Sequence, residues 1–498
     1  MKYQNPILRG FNPDPSVCRV GEDFYLVTST FEYFPGIPVY HSQDLVNWEL
    51  IGHCIDRPEQ LPSLETVVTT KGIWAPTIRY NEGTFYVTAT CHGIGNFIVS
   101  AKDPAGPWSD PVFVPIDGID PSLFFENGKA YYCTNQPGGV HNVQGLSMVE
   151  IDVTTGQFLS DVKYLWGGTG GAYAEAPHIY HIGDWYYAVL AEGGTFYMHM
   201  VTIARSKNIW GPYEPCPHNP LITNRHDQSR DVACTGHGEL FDDAQGNWWI
   251  AHLGTRTTVN WSSQMGRETF LMPITWQDGW PVVEGAGMSL LEPDGPILKP
   301  QELAKRWKAD LSKRELPWIH LRIPREENYQ WSAEGLRLIP VTDKISDSLG
   351  RPTMVALRQY DMNSSCMVKL EFEPMSDGDE AGLTAFLSCT YHYKICKRRE
   401  KGKNYIVVQK KAGDFFQEVY REEVNDGQLT LCITGTKFSY SFGYSIGNDD
   451  VKECARAASK FLSWDFAPSF TGVVYGVYTS CEKETNATAL IKDFQMER

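Results

Sequence analysis

No apolar run in this chain of 498 residues approaches the ~20 residues that a bilayer-spanning helix needs, so no membrane partner is expected. A secretory apolar region is missing from the start, where Met1 to Asn5 is polar. Positive charge is scarce. Lys and Arg number 44 against 60 Asp and Glu, a formal net charge of −16 at pH 7. Such a field repels nucleic-acid phosphates, which excludes DNA and RNA as expected partners, whereas a neutral sugar is not deterred. Paired cysteines are lacking as well. The 12 cysteines are scattered singly without a C-x-x-C pair, and Cys389 and Cys396 flank a Tyr/His run with no zinc-like ligands nearby. They read as the reduced, packed thiols of a cytoplasmic protein. A chain this long exceeds one hydrophobic core, so two or more domains are expected.

What is present is repetition. Five segments share one grammar, in which a small or polar residue leads through an apolar stretch and a Gly turn into an aromatic strand. They start at Asp14 (DPSVCRVGEDFYLVTST), Ala75 (APTIRYNEGTFYVTATC), Asp120 (DPSLFFENGKAYYCTNQ), Ala176 (APHIYHIGDWYYAVLAE) and His237 (HGELFDDAQGNWWIAHL). Pro follows at 15, 76, 121 and 177, and Gly238 takes that place in the last. The central glycines suit hairpin turns, and the Val, Ile, Phe, Tyr and Trp flanks favour strands. Several units continue into a second hairpin, as in HSQDLVNW from His41 and RSKNIWGPY from Arg205. Four strands per unit is the size of a propeller blade, so an all-β, five-bladed β-propeller is expected over residues 1–300.

In a propeller the innermost strands start on one face beside the axis. Equivalent repeat positions then converge on a central pocket. Asp14 and Asp120 occupy that position, and Glu175 lies one residue before it. Carboxylates brought together raise at least one pKa, a costly arrangement for a purely structural protein. Glycosidic hydrolysis uses such a set, one acid ionised and one protonated; in inverting enzymes the two stand about 6.5–9.5 Å apart with a water between base and sugar. Taken singly, each acid also reads as a turn, a cap or a solvated charge.

These motifs carry a resemblance. FNPDPS, TSTFEYFPGIPVYHSQDLVNW, GIWAP, GIDPSLF, AEAPHIY and AEGGT, in that order over residues 5–285, resemble glycoside hydrolase family 43, which contains β-xylosidases and α-L-arabinofuranosidases. The resemblance implies a five-bladed propeller and an inverting mechanism. It implies Asp14 as general base, Asp120 as the acid that modulates and orients its neighbour, and Glu175 as general acid. It further implies Phe31 and Trp74 as apolar walls, Thr195 near the pocket, and Arg267 as a donor to substrate hydroxyls. His237 matches a histidine that in some members ligates a calcium ion under the pocket; its other reading is a hydrogen-bonded structural histidine. No cofactor is otherwise required, and the expected partners are xylo-oligosaccharides or arabinoxylan fragments. The stretch NQPGGVHNVQG after the third repeat lacks the bulky aromatic that some xylosidase relatives place there, which leaves xylose and arabinofuranose both open. A fructan-cleaving propeller is disfavoured, because its Trp-Met-Asn-Asp-Pro-Asn box is here Phe11-Asn-Pro-Asp-Pro-Ser.

Residues 301–315 read as a linker, in which QELAKRWKADLSK is either a short helix or a docking strand. From 316 to 498 short alternating strands recur at sandwich spacing, and the segment resembles the concanavalin-like β-sandwich appended to xylosidase-type members. This module either binds carbohydrate or covers one side of the propeller and narrows the pocket; the lack of an exposed aromatic triplet favours the cover. The basic run Lys394 to Lys403 is expected to be a solvated loop.

Overall fold

A computed structural model gives the fold. It describes residues 1–498 except 140, 230, 259–261, 304–305, 426, 448 and 498. Among the described residues there are strands and short 3-10 helices but no α-helix, and no helix is long and apolar enough to cross a membrane.

The repeats fold into five antiparallel sheets of four strands each, and these are the blades. Their innermost strands are Ser16–Val20, Ile73–Asn81, Ser122–Glu126, Glu175–Ile182 and Val232–Asp242. Each packs on the next around the ring, and the fifth returns to the first. Side chains tie neighbouring blades together. The Ser16 hydroxyl accepts from Ile78 N at 2.9 Å, Thr77 Oγ1 donates to Pro121 O at 2.9 Å, and Tyr180 OH accepts from Leu240 N at 3.1 Å. The N-terminal segment closes the ring by running along the last blade, where Ile7 N donates to Thr269 O and Asn12 N to Arg267 O.

One backbone feature repeats with the blades. Asp14, Ala75, Asp120, Ala176 and His237 all sit in the left-handed region, with φ between +36° and +56°. Each such non-glycine residue costs about 1–2 kcal/mol. The repeat position read from the sequence is therefore a kink that turns the chain off the axis into the first strand. In the second and fourth blades the pairing breaks at Trp74/Thr77 and at Glu175/His178, so the kink lies inside the strand as a bulge. Glu175 is the residue just ahead of the kink at Ala176.

The C-terminal part is a sandwich of two eight-stranded sheets around a core that includes Leu336, Val368, Leu383, Ile395, Leu431, Phe442 and Phe494. One expectation is resolved and one needs revision. The segment expected as a linker over 301–315 includes the strand Arg306–Lys308, which pairs with Ala489–Glu497; QELAKRWKADLSK thus supplies a docking strand. The run Lys394–Lys403 is a hairpin rather than a loop. Ile395 and Cys396 are buried on opposite faces, and the partly buried Lys394 and the buried Lys397 are satisfied by Glu380 Oε1 and Phe372 O. The propeller and the sandwich also share a sheet, because Tyr33–Phe34 pairs with Ile319–Leu321.

A buried cluster spans that junction, joining Phe11 and Tyr33 of the propeller to Ile319, Met354, Phe386, Val474 and Tyr478. Phe11 is fully enclosed, so Phe11→Ala is expected to cost about 3–5 kcal/mol. Because the two parts share this cluster, calorimetry of the wild type should show one unfolding transition, shifted down as a unit in the variant. Two separable transitions would contradict the shared sheet.

Candidate active site

Five kinked strand starts encircle the axis, and three of them carry the acids. Asp14 is buried and held from several sides. Ser29 Oγ donates to its Oδ2 at 2.6 Å, and Ser29 is itself fixed by the Ala75 amide at 2.7 Å, a contact between the first two blades. Arg267 Nη1 donates to Asp14 Oδ1 at 3.1 Å, and His237 Nδ1 lies 3.6 Å from the same oxygen. Burial pushes the Asp14 carboxyl up, but Arg267, His237 and the Ser29 hydroxyl together pull it below its ordinary value. Asp14 is the ionised member of the set.

The other two acids respond in the opposite sense. Burial, then the Asp14 charge, raises Glu175 to about 7, against a smaller opposing pull from Arg267. Asp120 is pushed well above the ordinary carboxylate range by burial, then by Glu175 and Asp14, although the Ala176 amide bonds to it and Arg267 pulls the other way. Two interacting buried carboxyls titrate as a pair, so what holds for both is the direction: at neutral pH they retain a proton between them. The Ala176 amide also ties Asp120 to the residue that follows Glu175.

The remaining expected residues gather around this charge. Arg267 Nη1 reaches Thr195 Oγ1 at 3.2 Å, and its guanidinium carbon lies 5.4 Å from the centre of the Phe31 ring. Phe31 is buried with φ +52° and exchanges backbone hydrogen bonds with Ile73. Trp74 is partly covered, anchored by Nε1 to Thr70 O at 2.9 Å and packed on His92 at 4.8 Å between ring centres. His237 is buried, and burial holds its imidazole below the ordinary value despite the pull of Asp14.

Two contributors were not anticipated. Phe470 comes from the sandwich. Its ring lies 5.7 Å from Phe31 and 6.2 Å from Trp74, and its carbonyl accepts from Arg267 Nη2 at 3.4 Å. About 200 residues separate it from Arg267 in the chain, and no local pattern marks it. On the axis, Arg79 of the second blade pairs with the buried Glu239 of the fifth and meets His178 Nδ1 of the fourth at 3.2 Å. The alternation of the inner strands could have flagged these residues, since each is an inward position of a repeat.

Calcium takes six to eight oxygen ligands. Among the described residues no group of three or more His, Cys, Asp or Glu could hold a metal ion. The nearest carboxylate to His237 is already compensated by Arg267, and a second guanidinium, Arg79, occupies the axis. Among the described residues these side chains alone supply too few oxygen ligands for a calcium ion, and no chemistry is derived through one. A cavity of about 640 Å³ opens elsewhere, between the first blade and the sandwich, and none of the three acids lines it.

One ionised acid beside a cation, two acids that keep a proton, and flanking aromatic walls define a propeller glycosidase site. Residues 3–281 match the family model described as glycosyl hydrolases family 43, and residues 310–497 match the β-xylosidase C-terminal concanavalin A-like domain. The chain belongs to glycoside hydrolase family 43. It is 38% identical to a non-reducing-end α-L-arabinofuranosidase of Bacteroides ovatus, over 97% of this chain and 92% of that one. It is 33% identical to a xylosidase/arabinosidase of Butyrivibrio fibrisolvens, over 97% and 96%. Among solved structures, the xylan β-1,4-xylosidase of Bacillus halodurans superposes with a TM-score of 0.92 at 30% identity, covering 99% of this chain and 100% of the other.

The division of charge can be measured directly. In Arg267→Gln the Asp14 carboxyl loses the largest pull that lowers it. Its carboxyl carbon should titrate at higher pH by NMR, while the fold is retained. An unmoved titration would show that Arg267 does not set the charge.

Proposed function

We propose that the protein is an exo-acting, inverting glycoside hydrolase that releases xylose from the non-reducing ends of β-1,4-xylo-oligosaccharides and also takes terminal arabinofuranose. The observation that carries this reading is the opposite titration of the acids, with Asp14 lowered and Glu175 raised to about 7. Asp14 acts as general base and deprotonates a water. The water attacks the anomeric carbon while Glu175 protonates the departing glycosidic oxygen. Asp120 shares the proton of the pair and fixes the strand start that bears Glu175. Arg267, Thr195 and His237 bind sugar hydroxyls, and Phe31 and Trp74 flank the ring. Exo action is supported by Phe470, which stands against both walls and narrows the pocket from the sandwich side.

A second reading, an α-L-arabinofuranosidase acting on arabinoxylan or arabinan fragments, is favoured by the name and 38% identity of the Bacteroides ovatus relative. The relative rates on nitrophenyl β-D-xyloside and nitrophenyl α-L-arabinofuranoside decide between the two. Release of α-xylose from xylotriose, seen by NMR before mutarotation, is the expected sign of inversion; β-xylose would exclude it.

The pH dependence follows from the signs. Asp14 must be ionised, so kcat/KM rises with pH through its lowered carboxyl. Glu175 must be protonated, so kcat/KM falls as pH passes about 7. Asp14→Ala or Glu175→Ala should lose ~10²–10⁴-fold on unactivated xylo-oligosaccharides. Near wild-type turnover in either would remove that residue from its role. We also propose that no cofactor is required. Activity is expected to survive exhaustive chelation; a loss that calcium restores would place an ion beneath His237. The 12 cysteines are all free and 10 are buried, which supports the cytoplasmic setting proposed here. Recovery of the activity outside intact source cells would overturn that setting.

A further inference from the structure

We propose that Glu192 is a positioning residue for Glu175, acting through the glycine-rich segment that leads into it. The inference rests on the acid role given to Glu175 above. Residues 167–171 read Gly-Gly-Thr-Gly-Gly and end four residues before Glu175. Gly168 and Gly170 take φ of +77° and +101°. Such a segment has little stiffness of its own, because glycine restricts the backbone least.

Glu192 supplies the stiffness. Its side chain is fully buried at the end of the strand Trp185–Glu192. Oε1 accepts from Thr169 N at 2.8 Å and Thr202 Oγ1 at 2.5 Å, and Oε2 accepts from Gly171 N at 2.7 Å. The Thr169 hydroxyl lies 3.2 Å from both oxygens. The approach is so close that only glycine fits beside it. A Cβ on Gly168 would lie 2.5 Å from Oε1, and one on Gly171 would lie 2.7 Å from Oε2. The backbone clamps the same place, with Gly193 N donating to Ala172 O at 2.6 Å and Glu175 paired with Ala191.

The residues after Glu192 reach the other half of the site. Gly193 and Gly194 lead to Thr195, whose hydroxyl meets Arg267 Nη1 at 3.2 Å; the same nitrogen holds Asp14. The hydrogen bonds of the Glu192 carboxylate itself go to the segment before Glu175 and to Thr202, so its side chain bears on the acid and not on that guanidinium. Glu192 itself is enclosed, so it acts through the segment and not on substrate.

The test is leaving-group dependence. General-acid assistance matters for a phenoxide leaving group and little for 2,4-dinitrophenoxide. Glu192→Gln keeps the shape but turns an amide NH2 toward N–H donors. Its kcat/KM should fall ~10–100-fold on the phenyl pentoside and by less than ~3-fold on the dinitrophenyl pentoside, because misplacing the acid affects only assisted departure. The high-pH limb of the profile should shift with it. Thr202→Val, which removes a single donor, should show the same graded pattern at ~3–10-fold and decides the matter if the Glu192 variant fails to fold. Equal losses on both substrates, or none, would overturn the positioning role. Glu175→Ala is measured alongside. If its losses show no leaving-group dependence, the acid assignment has failed; if they do and those of the folded variants do not, only the role of Glu192 has failed.

Discussion

The site depends on where one guanidinium is held. Three carboxyls share a buried pocket, and burial alone would raise all of them. Arg267 breaks that equivalence, because its Nη1 contacts Asp14 and neither of the other acids. Asp14 gains enough from the contact, with Ser29 and His237, to stay charged. Its charge then raises both neighbours. The division of charge among the three acids is thus a consequence of position, since the three groups are chemically alike.

Holding that guanidinium engages both halves of the molecule. Arg267 directly precedes the strand Glu268–Gln277 of the last blade, and its backbone carbonyl accepts from Asn12 at the point where the chain closes the ring. Thr195 fixes it from the fourth blade and Phe470 from the sandwich. The sandwich is in turn secured to the propeller by the Tyr33–Phe34 strand pair, two residues beyond the pocket wall Phe31. Ring closure, domain docking and the charge of Asp14 are therefore one linked construction.

The repeats made much of this legible in the chain. A propeller brings equivalent positions together, so Asp14, Asp120, Ala176 and His237 could be placed on one face from spacing alone. The physical content of the position, a left-handed kink, is hidden in sequence because Asp, Ala and His all fill it. Lys394 and Lys397 misled for a related reason. Charge usually marks solvent, yet both are paired in a hairpin covered on two faces, and only the strand register shows it. Phe470 left no trace at all, since its role comes from docking between domains and not from any local period.

The sandwich is best understood through what it does to Arg267. The Arg267 guanidinium lies 5.4 and 5.2 Å from the ring centres of Phe31 and Phe470, which are 5.7 Å from each other, so the two rings cover it together from one side. Each ring face attracts the cation and also displaces water from it. A less hydrated cation pulls harder on the carboxylate it touches, because the local dielectric is lower. The sandwich therefore does more than narrow an opening. By supplying Phe470 it strengthens the interaction that keeps Asp14 charged, and through that charge it helps keep Glu175 protonated. A propeller with the same three acids and no second domain would need some other group to dry that face of the arginine.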